Sequence, residues 1–389
     1  MYVLRMSFKR IALLMGKNIG YNRDVIEGIY AFSQKRKNWL FHDASPKLES
    51  IEWLQEWKPD GIIAHLYDAK IARAIEALNV PIVSTTDSLA ELNYPLADVN
   101  QFKVGEMAAE YLSGLRLRNF GYLGSETMQY SKQRFSGCND LIEGEVHRCW
   151  VEYLPRIADV RVIRSMQDKI RAWLSSLPKP VGVFCSNDVP ARDLADICLE
   201  LGIRVPEEVA ILGVDNDLVE CRLSRPPLSS IEIPSARIGY GAAEILDKLM
   251  SEDKGTMSVY QPDPIRVVER ESTSMHAVAD PELRKALVYI KSNFSTIESV
   301  NEIVAQTSLG RRSLERKFRM ILDGSILDIL NKSRIEFAKS LLSDSKVDLS
   351  VTKIADACGY NASRRFAELF KLSTKLSPSE YARLHRVHY

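Results

Sequence analysis

Residues 349–382, LSVTKIADACGYNASRRFAELFKLSTKLSPSEYA, decide the fold class of the C-terminal part of this chain. Ser350 can cap a short helix at its N-terminus. The apolar positions of that helix recur at helical spacing, at Val351, Ile354 and Ala355. Gly359 can then adopt the left-handed backbone conformation that ends one helix tightly before the next begins.

A second helix is predicted over residues 361–372. One face of this helix is apolar and carries Phe366, Leu369 and Phe370. The opposite face is polar and carries Asn361, Arg364, Arg365 and Glu368. Two short helices at a sharp glycine turn, the second with an arginine-rich solvent face, are typical of a helix-turn-helix.

The same pattern occurs once more upstream, and this repetition favours a helix-turn-helix over an ordinary helical bundle. Residues 299–305 form the first helix, residues 307–310 the turn, and residues 311–322 (RRSLERKFRMIL) the second helix. Leu314, Phe318 and Ile321 are expected to be buried there, while Arg312, Glu315, Arg316 and Arg319 share the other face. Arg316 and Arg364 hold equivalent places 48 positions apart, by subtraction, which marks an internal repeat. A helix near residues 329–342, with Arg334 directed inward, would join the two copies.

The repeat predicts that the partner of this region is double-stranded DNA. Arginine reads guanine edges and asparagine reads adenine, while other basic side chains neutralise phosphates. Some of these arginines could instead only pair with Glu315 or Glu368 on the surface. The candidate DNA-binding residues are Arg311, Arg312, Arg316, Arg319, Asn361, Arg364, Arg365 and Glu368.

A specific motif runs through the second copy: Ile354-Ala355, Cys358-Gly359-Tyr360, Phe366, Phe370-Lys371 and Leu376-Ser377-Pro378-Ser379-Glu380-Tyr381. In these residues the region 283–386 resembles the double helix-turn-helix domain of AraC-type transcription factors. Lys375 and Ala382 stand where that family has a glycine and usually an arginine, and the equivalent glycine of the first copy is shifted by one, to Gly324. The resemblance implies an all-α DNA-binding domain, and it favours an activator over a repressor.

Length and charge indicate that this DNA-binding module is joined to a second part of the chain with a different character. A chain of 389 residues suits two or three domains, and 46% apolar and 26% charged residues are ordinary for a globular protein. The net charge of +1 hides an asymmetry. Residues 281–389 contain 19 Lys and Arg against 12 Asp and Glu, which gives +7 and leaves 33 against 39, or −6, for residues 1–280. A polyanionic partner is therefore expected at the C-terminal end only.

Cysteine usage and hydropathy predict a cytoplasmic protein. None of the six cysteines forms a Cys-x-x-Cys pair, so buried free thiols are favoured over disulfides or metal ligands. The apolar run near the N-terminus is too short for a signal peptide, and no stretch approaches membrane-spanning length.

The first 250 residues alternate between short apolar strands and amphipathic helices. Strands are predicted over residues 9–15, 60–64, 80–84, 119–123, 181–185 and 209–214. Helices are predicted over residues 23–36, 69–78, 102–115, 132–142, 190–201 and 235–249. This alternation predicts an α/β fold with a doubly wound parallel sheet covered on both faces.

The loops after these strands are rich in Asp, Asn, Arg and Tyr, and ligands of such sheets bind at that edge. Carboxylates and amides pair with vicinal hydroxyl groups while aromatic rings cover the CH faces, so a small sugar is the expected ligand. A pair such as Asn187-Asp188 could equally be only a helix cap. The candidate effector-binding residues are Tyr21, Asp87, Arg134, Asn187, Asp188 and Asp215.

Several short motifs support this expectation, among them Asp60-Gly61-Ile62-Ile63, Arg134-Phe135-Ser136-Gly137, Val205-Pro206-Glu207-Glu208-Val209 and Gly213-Val214-Asp215-Asn216. In them, residues 9–274 resemble the periplasmic-binding-protein-like sensor of LacI-type repressors. The resemblance implies two lobes with a cleft between them, which the chain would cross near residues 114–119, 231–235 and 260–265. It also implies effector contacts at Arg134, Asn187, Asp188 and Asp215, whereas Tyr21 and Asp87 match only by their place at strand ends.

The predicted organisation is a sensor at residues 1–270, a linker at residues 271–281, and a DNA-binding domain at residues 282–389. Sequence signatures of dinucleotide, phosphate or zinc sites and of a serine nucleophile are missing, so no cofactor or metal is expected and an enzyme is the weaker alternative. For His65, at a strand end, a solvent-facing or capping role is favoured. We also expect a homodimer formed through the sensor and contact with RNA polymerase. No membrane partner is expected. A repressor that senses another carbohydrate remains an alternative.

Overall fold

The computed structural model describes residues 8–89, 94–115, 117–151, 160–251, 258–274, 280–322, 324–343 and 349–385. The chain divides into two compact units, Met1–Ser274 and Met275–Tyr389, each described below by itself. The predicted linker lies partly outside the described residues, because residues 275–279 are not among them.

The first lobe of unit 1 is a six-stranded sheet in which every pairing is parallel. Its strands are β1 (Lys9–Leu14), β2 (Trp39–Ala44), β3 (Gly61–Ala64), β4 (Ile82–Ser84), β5 (Leu96–Ala97) and β11 (Val259–Tyr260). Their order across the sheet is β11-β5-β4-β3-β1-β2. Its helices are α1 (Gly20–Arg36), α2 (Leu48–Trp57), α3 (Ala69–Glu76) and α9 (Ser235–Met250).

The second lobe repeats this architecture. Its strands are β6 (Asn119–Gly124), β7 (Val146–Trp150), β8 (Val181–Cys185), β9 (Val209–Val214), β10 (Ser229–Glu232) and β12 (Arg266–Val268). Their order is β12-β10-β9-β8-β6-β7, and only the β10–β12 pairing is antiparallel among the described strands. Its helices are α4 (Gln101–Gly114), α5 (Gln129–Leu141), α6 (Val160–Ser176), α7 (Asp188–Glu200) and α8 (Leu218–Leu223). The predicted two-lobed α/β class is confirmed.

The position of the first crossing between the lobes was wrongly predicted. The chain leaves β5 and enters the second lobe at residues 98–100, before α4, and not after it at residues 114–119. The reason is that α4 packs against α5 at very short range. A Cβ on Gly105 would lie 2.2 Å from the Arg134 carbonyl oxygen, and one on Gly137 would lie 2.1 Å from that of Phe102. The other two crossings, near residues 233 and 261–265, agree with the prediction.

Unit 2 is helical in its described residues. Its helices are α10 (Pro281–Asn293), α11 (Val300–Ala305), α12 (Arg311–Leu322), α13 (Ile326–Ser343), α14 (Val351–Ala357), α15 (Ser363–Thr374) and α16 (Pro378–His385). Two apolar clusters form its core, one around Leu314 and Phe318 and the other around Phe366 and Phe370. Helix α13 contributes to both, so it joins the two helix-turn-helix copies as predicted.

Two local predictions for the second copy, the Ser350 cap and the left-handed Gly359, are confirmed. The Ser350 hydroxyl accepts a hydrogen bond from the Lys353 amide at 3.3 Å, and Gly359 has φ of +80°. The predicted start of the second helix at residue 361 is wrong. Helix α15 begins at Ser363, after the extended residue Ala362, so Asn361 lies before the helix and not on its polar face. Lys375 itself takes the left-handed conformation, with φ of +63°, where the resemblance leads one to expect glycine.

All six cysteines are buried free thiols, as predicted. Within the part of the chain that the structure describes, no helix is both long and apolar enough to cross a membrane.

Candidate functional site

Arg134 occupies the centre of the cleft between the two lobes of unit 1. Its side chain is only 3% exposed, and its Nε donates to Gln101 Oε1 at 2.7 Å. Its Nη1 donates to the Ser186 carbonyl oxygen, and its Nη2 lies 3.9 Å from Asp215 Oδ1. The guanidinium plane also covers the Tyr130 ring at 5.0 Å. Charge-assisted hydrogen bonds of this kind fix the group rigidly where a polar ligand would meet it.

Asn187 and Asp215 form the second part of the network. Asn187 donates from Nδ2 to Asp215 Oδ2 at 3.1 Å and accepts from the Tyr130 hydroxyl at 3.0 Å. Asp215 has φ of +103°, a strained value for a residue with a side chain. Its amide donates to the Ile231 carbonyl oxygen at 3.0 Å, which holds the strained loop in place. Burial raises the pKa of Asp215, and the nearby Arg134 opposes that rise.

Tyr21 and Asp98 extend the network into the first lobe. The Tyr21 hydroxyl donates to the Thr85 carbonyl oxygen at 2.6 Å and lies 3.5 Å from Asp98 Oδ1. Asp98 Oδ2 accepts from Gln101 Nε2 at 2.8 Å and from the Asp87 amide at 2.9 Å. Burial raises the pKa of Asp98 to about 6, although these hydrogen bonds oppose the rise. A continuous polar path therefore connects Tyr21 with Asp215.

The rims of the cleft are bridged directly. Asp87, which is half-buried, accepts from Gln133 Nε2 at 2.6 Å. On the same rim, the Gln129 amide donates to the Ser88 carbonyl oxygen at 3.1 Å. On the other rim, the Gly20 amide donates to Asp217 Oδ2 at 3.1 Å. A Cβ at position 20 would lie 2.3 Å from that same oxygen, so any other residue there would displace the Asp217 side chain and alter this rim contact.

Asp188 lies behind the cleft, unlike its neighbour Asn187. Its side chain is 1% exposed, and its Oδ2 accepts from the Asp217 amide at 2.8 Å. Gly213 leaves room for it, because a Cβ there would lie 2.1 Å from Asp188 Oδ1. Burial raises the pKa of Asp188 well above its usual range. This geometry makes Asp188 a support for the loop that carries Asp215.

His65 corrects the sequence interpretation, which favoured a solvent-facing or capping role. Its Nδ1 is buried and has no hydrogen-bond partner among the described residues. The imidazole packs edge-on against the Tyr21 ring at 5.6 Å, and burial lowers its pKa to about 4. Four further cleft residues were not singled out from the sequence: Asp98, Gln101, Tyr130 and Gln133. Asp98 follows a strand of only two residues, β5, which leaves no periodic signal.

In unit 2, helix α12 presents three exposed arginines at helical spacing, Arg312, Arg316 and Arg319. Among the described residues none of them forms an ion pair within 4 Å, whereas Arg311 donates to Asn301 Oδ1 at 3.4 Å. The buried face of α12 is the predicted one, with Leu314 and Phe318 fully enclosed. Helix α12 thus presents exposed positive charge to solvent.

Lys317, next to Arg316, faces another way. It forms an ion pair with Asp280, whose carboxylate also caps α10 by accepting from the Glu282 and Leu283 amides at 3.0 and 3.2 Å. The Glu282 carboxylate in turn accepts a hydrogen bond from the amide of Ser308, which lies in the turn of the first helix-turn-helix. The hydrogen bonds from Lys285 and Ser308 lower the pKa of Glu282 to about 2. The first turn of α10 is therefore fastened to the first helix-turn-helix.

Helix α15 differs from α12 in its electrostatics. Arg364 Nε lies 3.2 Å from Glu368, and Arg365 Nη1 lies 3.7 Å from the same carboxylate. Arg364 is nevertheless 92% exposed, so water screens this pair. Asn361 is exposed just before the helix. Both arginines and Glu368 therefore remain accessible to a ligand.

Comparison with known proteins agrees with this architecture. Residues 10–100 match the XylR N-terminal domain, residues 109–273 match the periplasmic binding protein-like domain, and residues 303–384 match a helix-turn-helix domain. The last of these is of the AraC type. The chain therefore combines an AraC-type DNA-binding domain with a periplasmic-binding-protein-like sensor, which is the domain composition of a DNA-binding transcription regulator and not of an enzyme.

Within this class the chain is similar to the xylose operon regulatory protein over nearly its whole length. It is 28% identical to the protein of Escherichia coli (strain K12) over 380 residues, which covers 96% of each chain. It is 27% identical to that of Haemophilus influenzae over 382 residues, which covers 96% of this chain and 98% of the relative. A solved structure described as the xylose-binding transcription activator XylR aligns with a TM-score of 0.59 and 26% identity, over 97% and 98% of the two chains.

Proposed function

We propose that this chain is a cytoplasmic transcription activator of a sugar catabolic operon, controlled by D-xylose or a closely related pentose bound in the cleft. The observation that carries the proposal is the polar path from Tyr21 through Arg134 to Asp215, which offers donors and acceptors in pairs. The similarity to xylose operon regulatory proteins over nearly the whole chain supports the choice of sugar.

The charges of the cleft favour a neutral sugar over its phosphate. Arg134 is already bonded to Gln101 and Ser186 and faces Asp215, while Asp98 and Asp87 add carboxyl groups nearby. Among the described residues of this network the one cation, Arg134, is already engaged, so a phosphate dianion would meet an acidic surface without a free partner. Burying an unpaired charge is costly. We assign direct effector contacts to Tyr21, Asp87, Arg134, Asn187 and Asp215. Asp188 is assigned to hold the loop of Asp215.

A thermal-shift panel with the full chain tests this assignment. The panel contains D-xylose, L-arabinose, D-ribose and D-xylulose 5-phosphate. Because a ligand stabilises the folded state in proportion to saturation, by about 2.7 kcal/mol at 100 times Kd, D-xylose should raise the sensor transition and the phosphate should not. A shift with the phosphate alone, or with none of the four sugars, contradicts the proposal. A shift with another pentose alone would identify that pentose, and not D-xylose, as the effector.

The mechanism that we propose is a shift between dimer geometries. The sensor forms the homodimer, and sugar closure of the cleft brings the two DNA-binding units into register on the promoter, where they contact RNA polymerase. The order of the parts, a two-lobed sensor followed by a DNA reader, supports it. Footprinting with and without sugar tests the mechanism, and unchanged affinity together with unchanged site spacing would refute it.

Each subunit is proposed to insert α12 and α15 into successive major grooves, about 34 Å apart on one face of the DNA. Arg312, Arg316 and Arg319 belong to the first contact, and Asn361, Arg364, Arg365 and Glu368 to the second. Arg364→Ala should relax base preference at one position at a cost of roughly 1–3 kcal/mol.

The matched control for that variant is Lys339→Ala, which removes one positive charge from a lysine already paired with Glu336 at 2.6 Å. The control should bind DNA with nearly the parent profile. The assigned role of Arg364 fails if the Arg364→Ala variant shows an unaltered profile across single-base variants of the site.

A further inference from the structure

Arg334 lies at the point of α13 where the two apolar clusters of unit 2 meet. Leu330, one turn before it, belongs to the first cluster, and Ala338, one turn after it, belongs to the second. The Arg334 residue is only 8% exposed. A long cationic side chain is rare in such a place unless bonds hold it.

On one side, Arg334 is bonded to the segment that directly precedes the first helix-turn-helix copy. Its Nε donates to the Phe294 carbonyl oxygen at 2.8 Å, and its Nη2 donates to the Ile297 carbonyl oxygen at 2.6 Å. These carbonyls lie between the end of α10 and the start of α11. The planar fork of the guanidinium therefore fixes the direction from which α13 approaches the first copy.

On the other side, Arg334 contacts the turn of the second copy. Its guanidinium covers the Tyr360 ring at 5.2 Å, and the Tyr360 hydroxyl lies 3.3 Å from Asn331 Oδ1 on α13. A Cβ on Gly359 would lie 3.0 Å from Arg334 Nη2 and 2.4 Å from the Ser295 carbonyl oxygen. The turn before α15 and the segment before α11 thus meet around one side chain.

The buried charge of Arg334 shows that packing alone does not explain why an arginine stands at this position. Among the described residues, no carboxylate lies within ion-pair distance of its guanidinium, and burial lowers its pKa. Burying a cation against carbonyls and a ring is no better for stability than burying an apolar side chain of similar volume. What the guanidinium supplies, and an apolar side chain lacks, is two directional hydrogen bonds on one side and a cation–π contact with Tyr360 on the other.

We propose that Arg334 is a positioning residue that fixes the distance and rotation between α12 and α15, and so sets the half-site spacing that the DNA-binding unit accepts. The proposal rests on the proposed mode in which both helices enter successive major grooves. One base pair of added spacing moves a half-site along the DNA axis and turns it around that axis, so a rigid unit discriminates by spacing.

The experiment measures affinity of the full chain for DNA with both half-sites at the selected spacing, with one to three base pairs added or removed, and with either half-site alone. The parent protein should lose about tenfold or more in affinity per altered base pair. Arg334→Met should keep its affinity for each single half-site within about threefold and lose most of the spacing preference. Arg334→Lys keeps the charge but not the fork, so it should behave like the methionine variant.

Circular dichroism of each variant checks that the helical unit is folded. If Arg334→Met does not fold, Tyr360→Leu replaces it, because that change leaves both carbonyl hydrogen bonds of Arg334 in place. It removes the contact of Arg334 with the Tyr360 ring, together with the Tyr360–Asn331 hydrogen bond and the Tyr360–Phe366 ring contact. Weaker binding to single half-sites with the spacing preference intact would overturn the proposal. A parent protein without any preferred spacing would instead refute the two-groove mode itself.

Discussion

Asp98 is the residue whose protonation couples most directly to the cleft. Its pKa of about 6 is above the ordinary value of 3.8, so the folded chain holds this proton more tightly than the unfolded chain between pH 4 and pH 6. Stability contributed by the group is therefore greatest at low pH and falls as pH rises through 6. At neutral pH, the hydrogen bond from Gln101 offsets part of this loss of stability, because it favours the ionised form of Asp98.

Replacing Asp98 by asparagine should remove that pH dependence. Between pH 4.5 and pH 7, the parent protein should lose about 2 kcal/mol more stability than the Asp98→Asn variant. Urea unfolding without sugar, followed by tryptophan fluorescence, measures this difference, because all five tryptophans lie before residue 274. Parallel pH profiles for the two proteins would show that Asp98 is ionised normally.

Lys375 carries backbone strain in the second helix-turn-helix. A left-handed conformation costs a residue with a Cβ roughly 1–2 kcal/mol, and glycine avoids that cost while losing more entropy on folding. Lys375→Gly should therefore stabilise α15 and α16 by about 0.5–1 kcal/mol. Lys371→Gly, within the same helix, should destabilise them by about 1 kcal/mol.

Hydrogen exchange of the α15 and α16 amides measures both changes. Protection should increase for Lys375→Gly and decrease for Lys371→Gly. A decrease for both variants would mean that the Lys375 side chain matters more than its backbone conformation.

At the scale of elements, paired glycines set the closest helix contacts of each lobe. Gly105 and Gly137 bring α4 onto α5, and Gly28 and Gly239 do the same for α1 and α9. In the second pair, a Cβ on Gly28 would lie 1.8 Å from the Ala236 carbonyl oxygen. Such contacts involve backbone on both sides, so the helices have to separate if a methyl group is added.

Gly105→Ala should destabilise the sensor by about 1–3 kcal/mol, because it forces α4 away from α5. Gly114→Ala on the same helix is the matched control, since a Cβ there meets nothing within 4 Å. The control should be neutral or stabilising by up to about 1 kcal/mol through helix propensity. Urea unfolding by tryptophan fluorescence compares the two, and equal effects would contradict the packing argument.

The sequence predicted those elements that carry a strong pattern. Continuous apolar runs identified β1, β3, β6, β8 and β9, and the repeat identified α12 and α15. The edge strands β2 and β7 were missed because His42, Asp43, His147 and Arg148 interrupt their apolar character. In the cleft, the strand-end loops indicated Asn187 and Asp215, and the resemblance to LacI-type sensors indicated Arg134. Nothing local in the sequence shows that Asp98 meets Gln101. That contact depends on where the chain crosses between lobes.

The whole molecule joins an acidic sensor to a basic DNA reader. Residues 1–280 carry −6 and residues 281–389 carry +7, by the counts given above. Positive charge on the reader draws it to any DNA, so specific control has to come from geometry as well as from attraction. Asp280, where the described part of unit 2 begins, is paired with Lys317 on α12.

The most direct test is a DNA titration of the full chain, on sites that it selects from a random library, with and without saturating D-xylose. The account predicts that sugar changes DNA affinity about 5- to 150-fold, the usual range of allosteric coupling. Asn187→Ala, which breaks the links to Tyr130 and Asp215, should bind the same DNA without sugar and lose the response. Identical isotherms and identical footprints with and without D-xylose or any other sugar that stabilises the sensor would contradict the account.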